Sequence, residues 1–183
     1  MFPIGIEPNH FEKLLHTEYT TTRIAELCAK FAGKRIIIGV DRLDYIKGVP
    51  HKLLAIEKLY TLYPEWQEKV VLIQIGVPSR TAVEEYQTLG LRVNELVGRI
   101  NGTYGTIEHT PIHYMNQSIS PQELTALYNL ADVCFITSIR DGMNLVSHEY
   151  VVCQATPCAN RDGPGVLVLS EFAGSAQVFI TLF

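Results

Sequence analysis

Five short apolar runs, separated by segments with helical periodicity, constrain the fold of this chain most strongly. The runs are rich in β-branched residues, and their short length is typical of strands that are covered on both faces. They are Arg35–Val40, Val70–Ile75, Ile112–Met115, Val133–Ile136 and Val166–Leu169. Strands that alternate with helices predict an α/β fold, a doubly wound parallel sheet with helices on both faces.

The segments between the strands predict the helices. The first is expected over 11–32, with a threonine run at 20–22 as a potential interruption and Gly33 as its end. Proline favours the first turn of a helix, so Pro50 and Pro121 mark the starts of two more. The remaining helices are expected over 82–100 and 142–155, with a short one near Ser170.

Composition excludes several classes of function. The chain has 183 residues and a net charge of −4, which fits one domain and argues against a nucleic-acid partner. No apolar run reaches the ~18 residues that cross a bilayer, and the N-terminus lacks signal-peptide features, so a cytoplasmic protein is the expectation. The four cysteines form no CxxC pair, which favours buried thiols over a metal site or disulfides.

Cations and acids are concentrated in the loop Asp41–Gly48, after the first predicted strand. Arg42 offers a planar fork that suits phosphate oxygens, and Lys47 offers a movable point charge. Ligands of doubly wound sheets bind at the carboxyl ends of strands, where this loop lies. We therefore expect a diphosphate site here, with a surface ion-pair cluster as the alternative.

A second candidate is the segment Arg140–Glu149, after the fourth strand. The predicted helix start at Gly142 offers unpaired amides to an anion, and glycine permits close approach. Glu149 lies two turns further on the same face. The segment thus fits a sugar nucleotide. The residues alone equally allow Asp141 and Glu149 as a general acid/base pair, or as a helix cap and a surface glutamate.

Two weaker candidates lie at the same edge of the sheet. Arg80 follows the second strand, and taken alone it is a helix-flanking arginine. The polar loop Asn116–Ile119 follows the third strand and could present backbone groups to a base edge. No GxGxxG follows the first strand, so a dehydrogenase is the least favoured class.

Four motifs in order resemble the trehalose-6-phosphate synthase family, and the resemblance covers nearly all of residues 2–177. They are residues 39–48, 98–102, 140–149 and 170–174. The segments Ser147–Tyr150 and His113–Asn116 resemble fungal members in particular. The resemblance implies the Rossmann-like second domain of a two-domain GT-B enzyme. That enzyme would be a retaining glycosyltransferase that moves glucose from UDP-glucose to glucose 6-phosphate.

The resemblance also implies roles for particular residues. Arg42 and Lys47 would hold the UDP diphosphate and, with Asp141, form the catalytic group. Glu149 would bind the ribose hydroxyls, and Arg80 would reach the phosphate of the acceptor. Backbone groups complete the site: uracil contacts at Ser118 and Ile119, glucose contacts at Gly142, Met143 and Asn144 beside Asp141, and phosphate support at Leu145 and Val146. Asp141 and Glu149 then hold hydroxyls instead of transferring protons.

Three further expectations follow from the resemblance. Residues 1–33 would be the interdomain hinge and first helix, 34–177 an incomplete UDP-glucose-binding domain, and 178–183 a divergent tail. The missing amino-terminal domain would carry most of the acceptor site, so the chain alone would have little activity. No metal or other cofactor is implied, and partners could be a second copy or subunits of a trehalose synthase complex.

Two alternative functions stay open. One is a non-catalytic regulatory module that binds a UDP-sugar or partner subunits. The other is a transferase of similar architecture, such as a relative of glycogen or sucrose synthase. Arg80 and the sequence Asp141–Asn144 favour the trehalose family over that second alternative.

Overall fold

All five predicted strands form one parallel sheet in a computed structural model that describes residues 5–78, 84–158 and 161–177. Their bounds are β1 (Arg35–Arg42), β2 (Val70–Val77), β3 (Ile112–Met115), β4 (Val133–Ile136) and β5 (Val166–Leu169). The strand order is β3-β2-β1-β4-β5, with all pairs parallel. β1 and β2 continue past their predicted ends, to Arg42 and Val77.

Helices cover both faces of the sheet. They are α1 (Pro8–Leu15), α2 (Glu18–Lys30), α3 (Val49–Leu62), α4 (Glu84–Tyr104), α5 (Pro121–Leu130) and α6 (Leu145–Cys153). Short 3-10 helices occur at Tyr45–Lys47 and Pro64–Trp66. Alternate residues of β2 face two separate cores: Leu72 packs with α3 and α4, while Ile73 packs with α2, α5 and α6. The prediction of a doubly wound α/β fold is confirmed.

The prediction of a single helix over 11–32 is wrong, because two helices occupy this range. The break lies at His16–Thr17 and not in the threonine run. Thr17 caps α2 by accepting a hydrogen bond from the backbone N–H of Thr20 at 3.3 Å. α2 packs on α5, and its residues Leu27 and Cys28 belong to the core that contains Ile73.

The last predicted helices also differ from the structure at their ends. α6 begins at Leu145 and not at Gly142, because the side chain of Asn144 caps it by accepting from Ser147 N–H at 3.0 Å. α4 continues beyond Ile100 to Tyr104. Near Ser170 the chain forms turns, and helical geometry starts only at residue 175.

The cysteine prediction is confirmed, since Cys28, Cys134, Cys153 and Cys158 are all buried thiols. A helix with the length and apolar character needed to cross a membrane is absent from the described parts of the chain.

Candidate functional site

The candidate site lies where the order of the strands reverses. β1 and β4 are neighbours in the sheet, yet the chain leaves β1 towards β2 and leaves β4 towards β5 on the opposite side. In doubly wound folds, ligands usually bind outside the carboxyl ends of the strands at such a point, beside the loops that follow them. We call residues 43–48 the first loop and residues 137–144 the second loop.

Hydrogen bonds to backbone carbonyl oxygens hold the two loops together. The N–H of Ile139 donates to the carbonyl oxygen of Ile46 at 2.7 Å, and the hydroxyl of Thr137 donates to the carbonyl of Gly48 at 3.2 Å. Gly48 has a φ of +65°, and a Cβ there would collide with the carbonyl oxygen of Thr137. The loops touch because residue 48 has no side chain.

A lysine–aspartate pair joins the side chains of the two loops. Nζ of Lys47 lies 2.5 Å from Oδ2 of Asp141, and the two side chains are only 12% and 10% exposed. The same oxygen accepts from Asn144 Nδ2 at 3.1 Å and from Ser138 Oγ at 3.3 Å. Oδ1 of Asp141 has no donor among the described residues, so it is available to a ligand.

These donors keep Asp141 ionised. Burial alone would raise the pKa of this carboxyl. The hydrogen bond and charge of Lys47, with hydrogen bonds from Asn144 and Ser138, outweigh burial and lower the pKa below its ordinary value of 3.8. A carboxylate held in this way accepts hydrogen bonds from hydroxyls and is a poor proton donor at neutral pH.

Unpaired amides surround the tip of α6. In the described part of the chain, no group accepts a hydrogen bond from the backbone N–H of Gly142, Met143, Leu145 or Val146. The N–H of Asn144 is different, because it donates to Ser175 Oγ at 2.8 Å. That amide is therefore already paired in this structure, and the glucose contact implied for it stays a prediction. The remaining amides make the α6 tip a candidate anion site.

Residues 170–175 support the second loop from behind. The N–H of Asp141 donates to the carbonyl of Phe172 at 3.1 Å, and the N–H of Gly174 donates to the carbonyl of Asp141 at 2.9 Å. A Cβ on Gly174 would collide with the carbonyl oxygen of Gly142. This contact fixes the backbone of Asp141 independently of its side chain.

Glu149 lies in the second turn of α6, separate from the Asp141 pair. Its Oε2 accepts from the hydroxyl of Tyr128 at 2.9 Å. Tyr128 is fully buried; burial and then the charge of Glu149 raise the pKa of this phenol well above its usual range. Tyr128 therefore remains a hydrogen-bond donor. Asp141 and Glu149 have different partners and share no hydrogen bond, which does not favour an acid/base couple.

The other predicted residues are more dispersed. Arg42 is exposed, and its guanidinium has no partner in the described ranges. Ser118 and Ile119 follow β3, which lies two strands from β1, or about 10 Å at ordinary strand spacing. Arg80 lies outside the described residues, so its role stays a prediction.

A groove lies between the first loop and the loop that follows β3. It has a volume of about 350 Å³ and lies at the carboxyl ends of β2 and β3, against α4. Leu43 of the first loop, Pro78, Tyr86 and Asn116 are among its lining residues. Its size is within the range of small-ligand sites, and it extends from the first loop towards the loop with Ser118.

Sequence reasoning missed several residues of the site. Ser138 and Ser175 gave no signal, because each is a single hydroxyl whose partner lies on another segment. Tyr128 resembles any other apolar-face residue of a helix. Lys52, a fully buried lysine of α3, could have been noticed because it interrupts an apolar stripe that includes Val49 and Ile56.

Fold and site together define a doubly wound α/β domain with a candidate anion site at its switch point, an architecture typical of nucleotide-binding domains. The family model for glycosyltransferase family 20 matches residues 1–181. The chain therefore belongs to glycosyltransferase family 20.

Similar proteins agree with this assignment. The chain is 58% identical over 177 residues to alpha,alpha-trehalose-phosphate synthase [UDP-forming] A of Dictyostelium discoideum, covering 97% of this chain and 23% of the relative. An E. coli trehalose-6-phosphate structure bound with UDP-2-fluoro glucose has a TM-score of 0.86 and 40% identity, covering 96% of this chain and 38% of that one.

A related enzyme shares the fold as well. The N-terminal domain of trehalose-6-phosphate phosphatase from Candida albicans has a TM-score of 0.87 and 38% identity, covering 97% of this chain and 36% of that one. The chain thus spans less than two fifths of each protein it is compared with here.

Proposed function

We propose that this chain is the donor-binding part of a retaining glucosyltransferase. The reaction moves glucose from UDP-glucose to glucose 6-phosphate and gives trehalose 6-phosphate and UDP. The Lys47–Asp141 pair beside the unpaired amides of α6, in a chain of glycosyltransferase family 20, carries this proposal. This arrangement would offer a donor sugar nucleotide a movable cation, a fixed carboxylate and unpaired amides side by side.

The diphosphate of the donor binds between the loops. Arg42 is free to form a bidentate contact, and Lys47 can turn from Asp141 towards a phosphate oxygen at this position. The N–H groups of Leu145 and Val146 complete the anion site. Two cations neutralise the charge that develops on the diphosphate as it departs.

The sugar and nucleoside parts use the fixed acceptors. Oδ1 of Asp141 accepts from a glucose hydroxyl, with the amides of Gly142 and Met143 nearby. Glu149, oriented by Tyr128, accepts from the ribose hydroxyls. The base extends along the groove towards the backbone of Ser118 and Ile119.

The reaction requires no protein nucleophile. A hydroxyl of the acceptor attacks the anomeric carbon on the face from which the diphosphate leaves. The new carbon–oxygen bond forms, the bond to the diphosphate breaks, and the proton of the hydroxyl passes to a phosphate oxygen. Asp141 and Glu149 hold ligand hydroxyls throughout and transfer no proton. Four other expectations stay predictions. They are independence from metal ions, a cytoplasmic location, the domain division at residue 33 and assembly with other subunits.

The acceptor is held mainly outside this chain. Arg80 is the residue proposed to reach its phosphate, and the rest of the acceptor site belongs to the parts of the relatives that this chain does not span. We therefore expect the chain alone to bind UDP and UDP-glucose but to release almost no UDP in the presence of glucose 6-phosphate.

A second function is favoured by one observation, the fold shared with the N-terminal domain of a phosphatase. In that case the chain binds a UDP-sugar, or partner subunits, without transferring glucose. A chimera separates the two functions: this chain replaces the matching segment of the Dictyostelium discoideum relative. UDP release by the chimera supports the transferase, whereas binding without release supports the regulatory module.

Binding is tested first, by calorimetry of the chain with UDP and UDP-glucose. Arg42→Ala removes one cation at the site, and Arg99→Ala removes one cation that pairs with Glu57 on the surface of α3. We expect weaker binding only for Arg42→Ala. Equal affinities in the two variants would overturn the diphosphate assignment, and no binding by the unaltered chain would overturn the proposed function.

A further inference from the structure

A second lysine–aspartate pair lies directly beneath the first loop. Nζ of Lys52 is 2.6 Å from Oδ2 of Asp41, and the side chains are 0% and 2% exposed. The same carboxylate oxygen accepts from Gln74 Nε2 at 3.0 Å. The pair is enclosed by the sheet and α3, and it has no contact with solvent through which a ligand could reach it.

Stability alone does not account for this pair. Removing two charges from water costs about as much as their attraction returns, and apolar residues of similar volume are often as stable. The neighbouring positions of α3, Val49, Leu53 and Ile56, are all apolar and fully packed. A Lys–Asp pair at this position therefore indicates that the backbone around it must adopt one specific geometry.

The sheet is shaped around the two polar groups. A Cβ on Gly39 would collide with Oε1 of Gln74 and with Nζ of Lys52. Gln74 is fully buried, and its Oε1 has no hydrogen-bond partner. Nε2 of Gln74 donates both to Asp41 and to the carbonyl oxygen of Ile75, each at 3.0 Å, so the side-chain amide is held in one orientation that leaves its oxygen unsatisfied.

The position of the pair in the chain explains what that geometry controls. Asp41 lies at the end of β1, immediately before Arg42, and Lys52 lies in the first turn of α3, shortly after Lys47. The pair therefore closes the segment that carries both proposed diphosphate ligands. Successive side chains of a strand point to opposite sides, so Asp41 held inward directs Arg42 outward.

We propose that Lys52 is a positioning residue for donor binding, acting through Asp41 to fix the first loop with Arg42 and Lys47 turned towards the diphosphate. Lys52 itself does not touch the donor. This inference rests on the proposed function, because it assigns Arg42 and Lys47 to the diphosphate. A packing role alone would leave the affinity for UDP unchanged once the fold is preserved.

The test replaces both charges together, because removing one would leave the other buried and unpaired. The variant Asp41→Leu/Lys52→Met keeps the volume, and Asp41→Asn/Lys52→Met also keeps an acceptor for Gln74 and serves if the first variant unfolds. Glu57→Leu/Arg99→Met removes a more exposed ion pair and is the matched control. Urea unfolding and calorimetry with UDP are measured for all.

We expect the neutral variants to unfold close to the unaltered chain and to bind UDP at least about tenfold more weakly, with no change in the control. Adding Arg42→Ala should then cost less than it costs in the unaltered chain, because the loop is already misplaced. Unchanged UDP affinity in a folded neutral variant, or a fully additive effect of Arg42→Ala, would overturn the role of Lys52.

The outcomes separate this inference from the function on which it rests. If Arg42→Ala weakens UDP binding and the neutral variants do not, the role of Lys52 is wrong and the donor site stands. If the unaltered chain binds no UDP, or if Arg42→Ala leaves the affinity unchanged, the donor site itself is wrong and the role of Lys52 is overturned with it.

Discussion

One lysine–aspartate pair lies beneath the first loop and another joins it to the second loop, and the two pairs differ mainly in burial. Lys52–Asp41 is sealed from solvent, with exposures of 0% and 2%. Lys47–Asp141 lies at the sheet edge, with exposures of 12% and 10%, and its carboxylate keeps one open oxygen. The distances are almost equal, 2.6 and 2.5 Å, so the chemistry of the contact does not distinguish them.

The difference in burial indicates which of the two pairs can exchange its partner for a ligand. A sealed pair cannot be separated without leaving a charge in the core, so it behaves as part of the scaffold. A pair at the edge can trade one partner for a phosphate or a hydroxyl, because water and ligand compensate the charge that is released. We infer that the inner pair sets geometry and the outer pair recognises the donor.

The largest effect is expected at the inner pair, for Lys52→Ala alone. The variant leaves the Asp41 carboxyl buried without its lysine partner, which costs about 3–5 kcal/mol of the free energy of unfolding. Urea unfolding measures this loss. Lys58→Ala removes an exposed lysine of the same helix and should change stability by less than about 0.5 kcal/mol. Equal midpoints for these two variants would contradict the scaffold role.

Lys47→Ala is expected to act mainly on UDP affinity and less on stability, in contrast to Lys52→Ala. A hydrogen bond to a charged group contributes about 1.5–3 kcal/mol, so UDP should bind about tenfold to a hundredfold more weakly. The loss in unfolding free energy should be smaller than for Lys52→Ala, since Asp141 keeps Asn144 and Ser138 as donors. Calorimetry and urea unfolding on the same samples check both parts. A stability loss as large as that of Lys52→Ala would erase the distinction between the pairs.

The sequence was sufficient for much of this comparison, though not for its central contrast. Periodicity predicted all five strands, and parallel pairing then brought Lys47 and Asp141 to the same edge. It did not show that they form an ion pair, because that contact depends on the close approach permitted at Gly48. Lys52 interrupts an apolar stripe of α3, but its pairing with Asp41 becomes visible only when the sheet is formed.

The start of α6 illustrates a different failure of the sequence. Gly142 marks the turn, but the helix begins at Leu145, because Asn144 is held by Ser175 and caps the helix with its side chain. Ser175 lies far along the chain, and local propensity carries no information about it. Glu149 is consequently in the second turn of α6 and is oriented by Tyr128, a partner that spacing could not reveal.

A third prediction extends the comparison to Glu149, which lies outside both pairs. Glu149→Gln should weaken UDP binding by about tenfold, since a charged acceptor is replaced by a neutral one. Binding of 2′,3′-dideoxy-UDP should stay the same, because the ribose hydroxyls are missing from that ligand. Glu57→Gln provides the control on the surface of α3. A loss that is equal for both ligands would remove Glu149 from the ribose site.

The smallest expected effect is a difference in how the free energy of unfolding depends on pH in acid. Lys47, Asn144 and Ser138 outweigh burial and lower the pKa of Asp141 below 3.8 in the folded chain. Its stabilising contribution is therefore complete above that value and is lost as the pH falls through the folded-state pKa. Urea unfolding over a pH series should show that the unaltered chain loses stability more steeply below about pH 3.8 than Asp141→Asn does. Parallel curves for the two chains would mean that the outer pair contributes nothing to folding. The role of Asp141 would then rest on ligand binding alone.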